Sequence, residues 1–400
     1  MLKVLKKKHR HHSLTGRITM PAMFAAFKAV KKNRGAAGLD KVSINMYEAN
    51  LSENLAKLMR ELKSGTYIPI LLLRVFIPKG LKQWRPLGIP AVRCRVAQEV
   101  IRRILSPIFE RIFHPSSHGF RPTLSCHSAM MQLVKLYKQG YVKVLDADIQ
   151  GFFDNIPHRL ILALVEREIA DGNILSLIKK FLRAGVMEDG KIRPTTKGTP
   201  QGGVISPLLA NIVLNHLDWV LEKQGLKFVR YADDFVVLCK AKIDAEKALL
   251  IVKRCVEEDL GLSLHPEKTR VTSFYEGFNF LGYYVNSRTI RMGQKAVERF
   301  KNKIRELTIR NHNLEADVVV KVNRVIRGTV NYFCTPFSTC LGQLNGIDKW
   351  IRRRIRSMKY KRIWMSDNRR MKNKTIKRIG FFTCRELYLA RKETRLMALP

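Results

Sequence analysis

The chain reads as an α+β unit followed by an all-helical one, and three observations predict this. An aromatic and β-branched run over Lys227–Cys239 is broken only by two adjacent acids, the pattern of strand, tight turn, strand. On either side of it, helix-spaced apolar residues alternate with short extended runs. From Met292 onward only the helical spacing remains.

In order, residues 21–65 read as short helices with a basic face, broken at Asn33-RGAAG-Gly38. Pro69–Ile77 is β-like, and 79–85 is a basic loop running into Pro86–Pro90. Val96, Val100, Ile101, Ile104, Leu105 and Ile108 fall on one helical face. Residues 141–148 form a short strand ending in acids, and helices fill 158–186 with a break at Asp171-Gly172. A glycine-rich loop, Lys197–Ile205, leads to a helix with Ser206 as N-cap, Pro207 in its first turn and Gly225 as its stop. After the acidic ribbon comes an amphipathic helix, Asp244–Leu260, then a second ribbon over 269–285 turning at Glu276-Gly277. Three helices follow, marked by Val297–Leu307, Val318–Thr329 and Ile347–Met358. Beyond Met358 the chain reads as too basic and broken to bury much.

Composition narrows the class of partner. The 400 residues are 46% hydrophobic, which is globular, but 74 Lys and Arg face 33 Asp and Glu for a net charge of +41. Such a field implies a polyanion, and nucleic acid over an anionic membrane, because no amphipathic anchor or lipidation signal is present. No apolar run approaches the roughly 18 residues that span a bilayer. The start, MLKVLKKKHRHH, lacks the apolar core of a signal peptide, and His9, His11 and His12 read as part of a solvated basic tail. Seven cysteines show no C-x-x-C pair and no matching Cys/His spacing, so no zinc site is expected. Their odd number suits a reducing compartment, and the expected location is cytoplasmic.

Chemistry is carried by acids. Asp233 and Asp234 sit at the ribbon tip, and Asp146 and Asp148 end the earlier strand, sharing a face while that strand stays regular. Taken alone, the Asp233-Asp234 pair fits a solvated turn as well as a metal site. A strand-end acid followed by a hairpin pair is the arrangement two-metal phosphoryl transfer needs, with ions about 4 Å apart bridged by carboxylates from a rigid sheet.

Nine blocks, in order, then resemble the reverse transcriptase/maturases encoded by bacterial group II introns. They are NRGAAGLD (33–40), IPKGLKQWRPLGIPAV (77–92), HGFRP (118–122), DADIQGFFDNIPH (146–158), GTPQGGVISPLLANIVLNHLD (198–218), RYADDF (230–235), LGLSLHPEKT (260–269), FNFLGYYV (278–285) and VNRVIRGTVNYF (322–333). The resemblance implies a right-hand polymerase fold with a ferredoxin-like palm sheet and an all-helical thumb/maturase domain. Its boundaries would be a basic tail (1–20), N-terminal extension and fingers (21–140), palm (141–290), thumb (291–360) and a short basic nucleic-acid-binding segment (361–400). The implied activity is RNA-directed DNA polymerisation, with two Mg²⁺ ions or Mn²⁺ in their place, and intron RNA binding as a splicing maturase for retrohoming.

Residue roles follow from the same resemblance. Asp148, Asp233 and Asp234 match the catalytic metal carboxylates, with the Ile149 carbonyl as a further ligand, and Asp146 is left a structural role. Lys79 and Arg85 match the clamp on the incoming dNTP, a point charge and a fork donor. Phe153 stands at the steric gate that crowds a ribose 2′-hydroxyl, Gln201 beside the templating pair, and Lys268 near the triphosphate. Gly119, Phe120 and Arg121 match template-contacting fingers, and Phe280, Leu281 and Gly282 the primer grip. Arg327, Asn331 and Tyr332 form a helical stripe toward nucleic acid, as do Trp350, Arg352 and Arg353.

The expected partners are an RNA template, intron RNA, a DNA primer or target and dNTPs, with no membrane; monomer and homodimer both stay open. Cys94 departs from the family, where Asp is usual, and puts one local salt bridge in doubt. No H-N-H endonuclease pattern is present, so second-strand priming would fall to strands at replication forks. Two other readings stand: a splicing-only maturase, which would typically lack the hairpin acids, and a reverse transcriptase domesticated by its host for defence or repair.

Overall fold

A computed structural model describes residues 9–80, 83–199 and 202–396. They fall into two compact units, Met1–Leu136 with Leu145–Val271, and Tyr137–Val144 with Thr272–Pro400. The elements of the first part of the chain are α1 (Met20–Lys32), α2 (Ile44–Ala49), α3 (Leu51–Ser64), β1 (Leu72–Gly80), β2 (Gln83–Ile89), α4 (Val92–Glu110) and α5 (Cys126–Lys138). Next are β3 (Lys143–Asp148), α6 (Phe152–Asn155), α7 (His158–Glu166), α8 (Gly172–Leu182), β4 (Val186–Glu188) and β5 (Lys191–Arg193). Then come α9 (Ser206–Lys223), β6 (Lys227–Tyr231), β7 (Asp234–Cys239), α10 (Lys242–Arg254), a π-helical turn at Cys255–Asp259 and β8 (Arg270–Ser273).

Two sheets shape this part. One has the order β2-β1-β4-β5 and the other β6-β7-β3-β8. The expected basic loop at 79–85 is the tip of a hairpin, since β1 and β2 pair from Leu73–Ile89 to Gly80–Gln83. The core of the first unit joins α4, α7, α8, α9 and the inner faces of β3 and β7. On α4, Val96, Ile101, Leu105 and Phe109 are fully buried, each worth about 1.5–3 kcal/mol over exposure. The helix α9 starts without the expected cap: Ser206 is its first residue, and Ile205 at the cap position has no side-chain acceptor to offer. Pro207 still opens the helix, where its missing N–H costs nothing.

The side chains of His9, His11 and His12 are exposed, as expected, while the backbone of this stretch is anchored. His11 exchanges backbone hydrogen bonds with Glu168 and Ala170, and Leu14 and Ile18 are fully buried. Asp171, the N-cap of α8, also accepts from the backbone N and the hydroxyl of Thr15, both at 2.8 Å.

The second unit carries β9 (Phe278–Phe280), β10 (Tyr283–Val285), β11 (Ile290–Met292), α11 (Gln294–Leu307), α12 (Ala316–Phe333), α13 (Leu341–Tyr360), α14 (Asp367–Arg370), α15 (Asn373–Arg378) and α16 (Cys384–Leu396). The chain does turn at Glu276-Gly277, where Gly277 N bonds the Ser273 carbonyl at 2.9 Å, but the strands flanking that turn do not pair with each other. β10 pairs with β9 and β11, and its hairpin turns at Leu281-Gly282, both at positive φ. β8 joins β3 instead. The segment beyond Met358 does bury side chains: Met371, Ile376, Phe381, Cys384 and Tyr388 are all inside. Asp348 of α13 accepts from the backbone N of Cys384 (2.7 Å) and Arg385 (3.0 Å), capping α16.

Candidate active site

The sheet order β6-β7-β3-β8 sets the two acidic clusters on neighbouring strands, β7 beginning at Asp234 and β3 ending at Asp148. Tyr231 pairs with Asp234, so Ala232 and Asp233 alone form the hairpin loop. Ala232 has φ +58, a conformation that tight hairpin loops usually assign to glycine because a Cβ is unfavourable there.

A buried network holds that loop, and sequence reading did not find it. Arg230 is 0% exposed and grips Asp218 bidentately at 2.7 and 2.5 Å. The same guanidinium donates to Asn211 Oδ1 and to the Ala232 carbonyl, both at 2.9 Å. Asn211 in turn donates to the Gly119 carbonyl at 2.8 Å. Gly119 lies flush against the loop, where a Cβ would stand 2.3 Å from the Ala232 nitrogen, so no other residue fits. Backbone bonds from Arg230 to Ser116 and from His118 to Arg230 complete the clamp. One signal was present: Asn211 and Asp218 are seven residues apart, on one face of α9, among residues that are mostly apolar.

Around Asp148, the backbone bonds His265 N to Asp148 O (2.7 Å) and Gln150 N to Ser263 O (2.8 Å) flank Ile149. Strand alternation therefore turns the Ile149 carbonyl to the opposite edge, the one facing β7. Lys268 places its ammonium 2.8 Å from Asp148 Oδ2, so this carboxylate already draws a cation. Asp146, half-buried and 4.0 Å from Arg270, has its carboxyl pushed up to about 6 by burial. A set of hard carboxylate and carbonyl oxygens fits a hard divalent cation better than a soft one.

The glycine-rich loop is seated on the turn that carries Phe153. Thr199 N donates to the Phe153 carbonyl at 2.7 Å, and His158 bonds the Gly198 carbonyl at 2.7 Å. Gly198 has φ +82, and a Cβ on it would meet the Phe153 and Asp154 carbonyls within 2.8 Å. Phe153 itself is half-buried, edge-on to Phe152. Gln201 lies outside the described residues. Lys79 and Arg85 stand on opposite strands near the β1–β2 tip, and their side chains also lie outside them.

Other expected contacts have different partners. Arg121 spends its guanidinium internally, on Glu110 and on the His114 and Ser117 carbonyls, whereas Phe120 is 59% exposed. Cys94 accepts from the Ile70 backbone N at 3.3 Å.

Within the second unit, Phe280 is buried, and the turn Leu281-Gly282 is braced by α12: the Tyr332 hydroxyl donates to the Leu281 carbonyl at 2.9 Å. Tyr283 returns a bond to the Tyr332 carbonyl. The expected stripe is thus divided, with Tyr332 turned inward, Arg327 exposed and stacked over Phe382, and Asn331 exposed. Trp350 is half-buried, with Lys301 and Arg305 over its ring, which ties it to α11. Arg352 and Arg353 line a cleft of about 500 Å³ together with Lys349, Arg356 and Lys372, and no acid lines it.

Comparison with known proteins accords with this geometry. Residues 77–285 match the family described as reverse transcriptase (RNA-dependent DNA polymerase), and 297–377 match the group II intron, maturase-specific domain. Protein YkfC of Escherichia coli is 34% identical over 70% of this chain and 84% of its own. Group II intron-encoded protein LtrA of Lactococcus lactis is 32% identical over 72% of this chain, which spans 59% of that longer protein. An uncharacterized 91 kDa protein in a cob intron of Schizosaccharomyces pombe is 28% identical over 74% of this chain and 46% of its own. Domains of these two kinds bind RNA, and reverse transcriptase domains work with divalent metal ions. No described helix is long and apolar enough to cross a membrane. The chain, an α+β protein of the right-hand polymerase class, belongs to the group II intron reverse transcriptase/maturases and is an RNA-directed DNA polymerase with a maturase domain.

Proposed function

We propose that the chain adds dNMP to a primer 3′-hydroxyl on an RNA template, with Asp148, Asp233 and Asp234 holding two Mg²⁺ ions. The observation that carries this is the placement of β3 and β7 side by side, with a hairpin loop locked by Arg230. When bound, such ions supply the charge that lowers the proton affinity of the attacking hydroxyl and neutralises the leaving pyrophosphate. Asp148 and Asp233 would be the main carboxylates holding the ions, with Asp234 in support and the Ile149 carbonyl as a further oxygen ligand. Lys268, paired with Asp148 in this structure, swings to the triphosphate when that carboxylate is engaged. Lys79 and Arg85 grip the same triphosphate, Gln201 sits at the templating pair, and Phe153 crowds a 2′-hydroxyl and so selects dNTPs.

Phe120 contacts the template, with Gly119 and Arg121 supporting it. Phe280, Leu281 and Gly282 bear the primer end, and Arg327, Asn331, Arg352 and Arg353 meet RNA phosphates. Residues 21–140 serve as N-terminal extension and fingers, 141–290 as palm, 291–360 as thumb and 361–400 as a nucleic-acid-binding segment. The maturase domain binds the intron RNA, assists its splicing and supports retrohoming. Seven free cysteines are consistent with action in the cytoplasm.

The test is Asp233→Ala. It abolishes dNTP incorporation and leaves RNA binding near the wild-type level; incorporation within tenfold of wild type sinks the metal assignment. A splicing-only maturase predicts no incorporation by the wild-type protein either.

A further inference from the structure

Away from the carboxylate hairpin, the first unit gathers three metal-ligating side chains, one from α9 and two from a single π-helical turn later in the chain. His216 of α9 meets Asp259 at 2.9 Å, Nε2 to Oδ2, and Cys255 opens the π-helical turn that Asp259 closes. One ligand atom from each lies within 4.8 Å of the other two. We propose that His216, Cys255 and Asp259 bind one divalent transition-metal ion of the zinc class.

The donor set of one imidazole nitrogen, one thiol sulfur and one carboxylate oxygen suits that class and is poorly matched to Mg²⁺, which favours six oxygens. The spacing suits it as well, because ligand atoms around a tetrahedral zinc stand roughly 3.5 Å apart. The backbone contributes a second observation. Leu260 N bonds the Cys255 carbonyl at 3.0 Å, the wide turn of a π-helix, a rare form that recurs at functional sites.

Access is graded. Cys255 is 2% exposed, whereas the His216 and Asp259 side chains are 20% and 38% exposed and form the rim. The partly exposed Asp259 rim is where a water reaches the fourth position of a tetrahedral ion. In a chain of net charge +41, His216 is the one Lys, Arg or His side chain within 4.0 Å of the Asp259 carboxylate among the described residues.

The location gives such an ion a task. The helix α9 carries Asn211 and Asp218, which hold the hairpin loop through Arg230. The π turn leads directly into the segment whose His265 bonds the Asp148 carbonyl. An ion bridging the two ties together the supports of both acidic clusters, as a structural staple outside the polymerase chemistry.

The purified full chain, stripped with a chelator and held in excess Mg²⁺, is titrated with Co²⁺ and read by absorbance. One equivalent produces tetrahedral d–d bands and a thiolate-to-cobalt charge-transfer band, and one equivalent of Zn²⁺ displaces both. Cys255→Ser abolishes the charge-transfer band. Where that variant fails to fold, His216→Gln and Asp259→Asn each weaken Co²⁺ binding by about tenfold or more, no less than the loss known for outer-shell partners. Absence of the band in wild type, its survival in Cys255→Ser, or unchanged affinity in both rim variants overturns the proposal. The N-terminal His9, His11 and His12 cannot mimic the result, since they supply no thiolate.

Discussion

Arg230 shows how much one residue can decide. Its guanidinium is fully buried and satisfies Asp218, Asn211 and the Ala232 carbonyl at once, so removing it strands a buried carboxylate. Arg230→Met therefore lowers stability by roughly 3–5 kcal/mol, measured by thermal unfolding. Asn211→Ala is gentler, at about 1–3 kcal/mol, and leaves a folded protein in which the left-handed loop is less well held. Its kcat for dNTP incorporation falls about tenfold or more while RNA affinity is kept; an unchanged kcat in the folded variant excludes a positioning role for the network. Phe153 is the second residue to test. If it gates the sugar, Phe153→Ala raises ribonucleotide incorporation in a competition assay, and unchanged discrimination dismisses the gate.

At the scale of elements, capping and bracing matter more than propensity. The helix α16 has low intrinsic apolar content, yet the Asp348 carboxylate caps it and Tyr388 reaches the Ser338 carbonyl at 2.9 Å. Asp348→Ala removes that cap at a cost of about 1–2 kcal/mol. Limited trypsin digestion then cuts earlier at Arg385 and Arg391 than in wild type; equal rates count against a capping function. The turn Leu281-Gly282 is stabilised likewise by Tyr332, so Tyr332→Phe acts on the turn through a lost hydrogen bond and not through phosphate contact. The same reasoning explains why the strands flanking Glu276-Gly277 do not form one ribbon. Glu276-Gly277 has turn chemistry, but a strand's partner is chosen by long-range pairing, and β8 is claimed by β3.

For the whole molecule, charge and protonation give two bulk predictions. With a net charge of +41, and with about six or more phosphates contacted, log affinity for RNA falls against log salt with a slope of about −4 or steeper. A flat titration refutes that. The second concerns His114, His118 and His158, each held below the ordinary 6.5 chiefly by burial. The unfolded chain then takes up protons that the folded one refuses, so the stability these groups contribute is complete above pH 6.5 and is lost as pH falls below it. Melting temperature drops from about pH 7 toward about pH 5, and His118→Gln makes the drop shallower; a pH-independent melting temperature would contradict this reading.

Local order decided what the sequence could reveal unaided. Helix periods, the acidic hairpin at Asp233-Asp234 and the strand-end acids all depend on neighbours within a few residues and sufficed for the α+β class. The polymerase family came from the resemblance of nine ordered sequence blocks. Only the tertiary structure decided where each polar side chain spends its hydrogen bonds. Arg121 and Tyr332 look like surface contacts in sequence and prove to be internal braces, because a buried carbonyl must be satisfied by whatever donor packing brings near. Arg230, Asp218 and Asn211 become a network, and His216, Cys255 and Asp259 a cluster, only when α9 packs against strands and turns remote in sequence. Such meetings are fixed by the burial of apolar faces, which specifies position in space and leaves little local trace in the chain beyond the seven-residue spacing of Asn211 and Asp218.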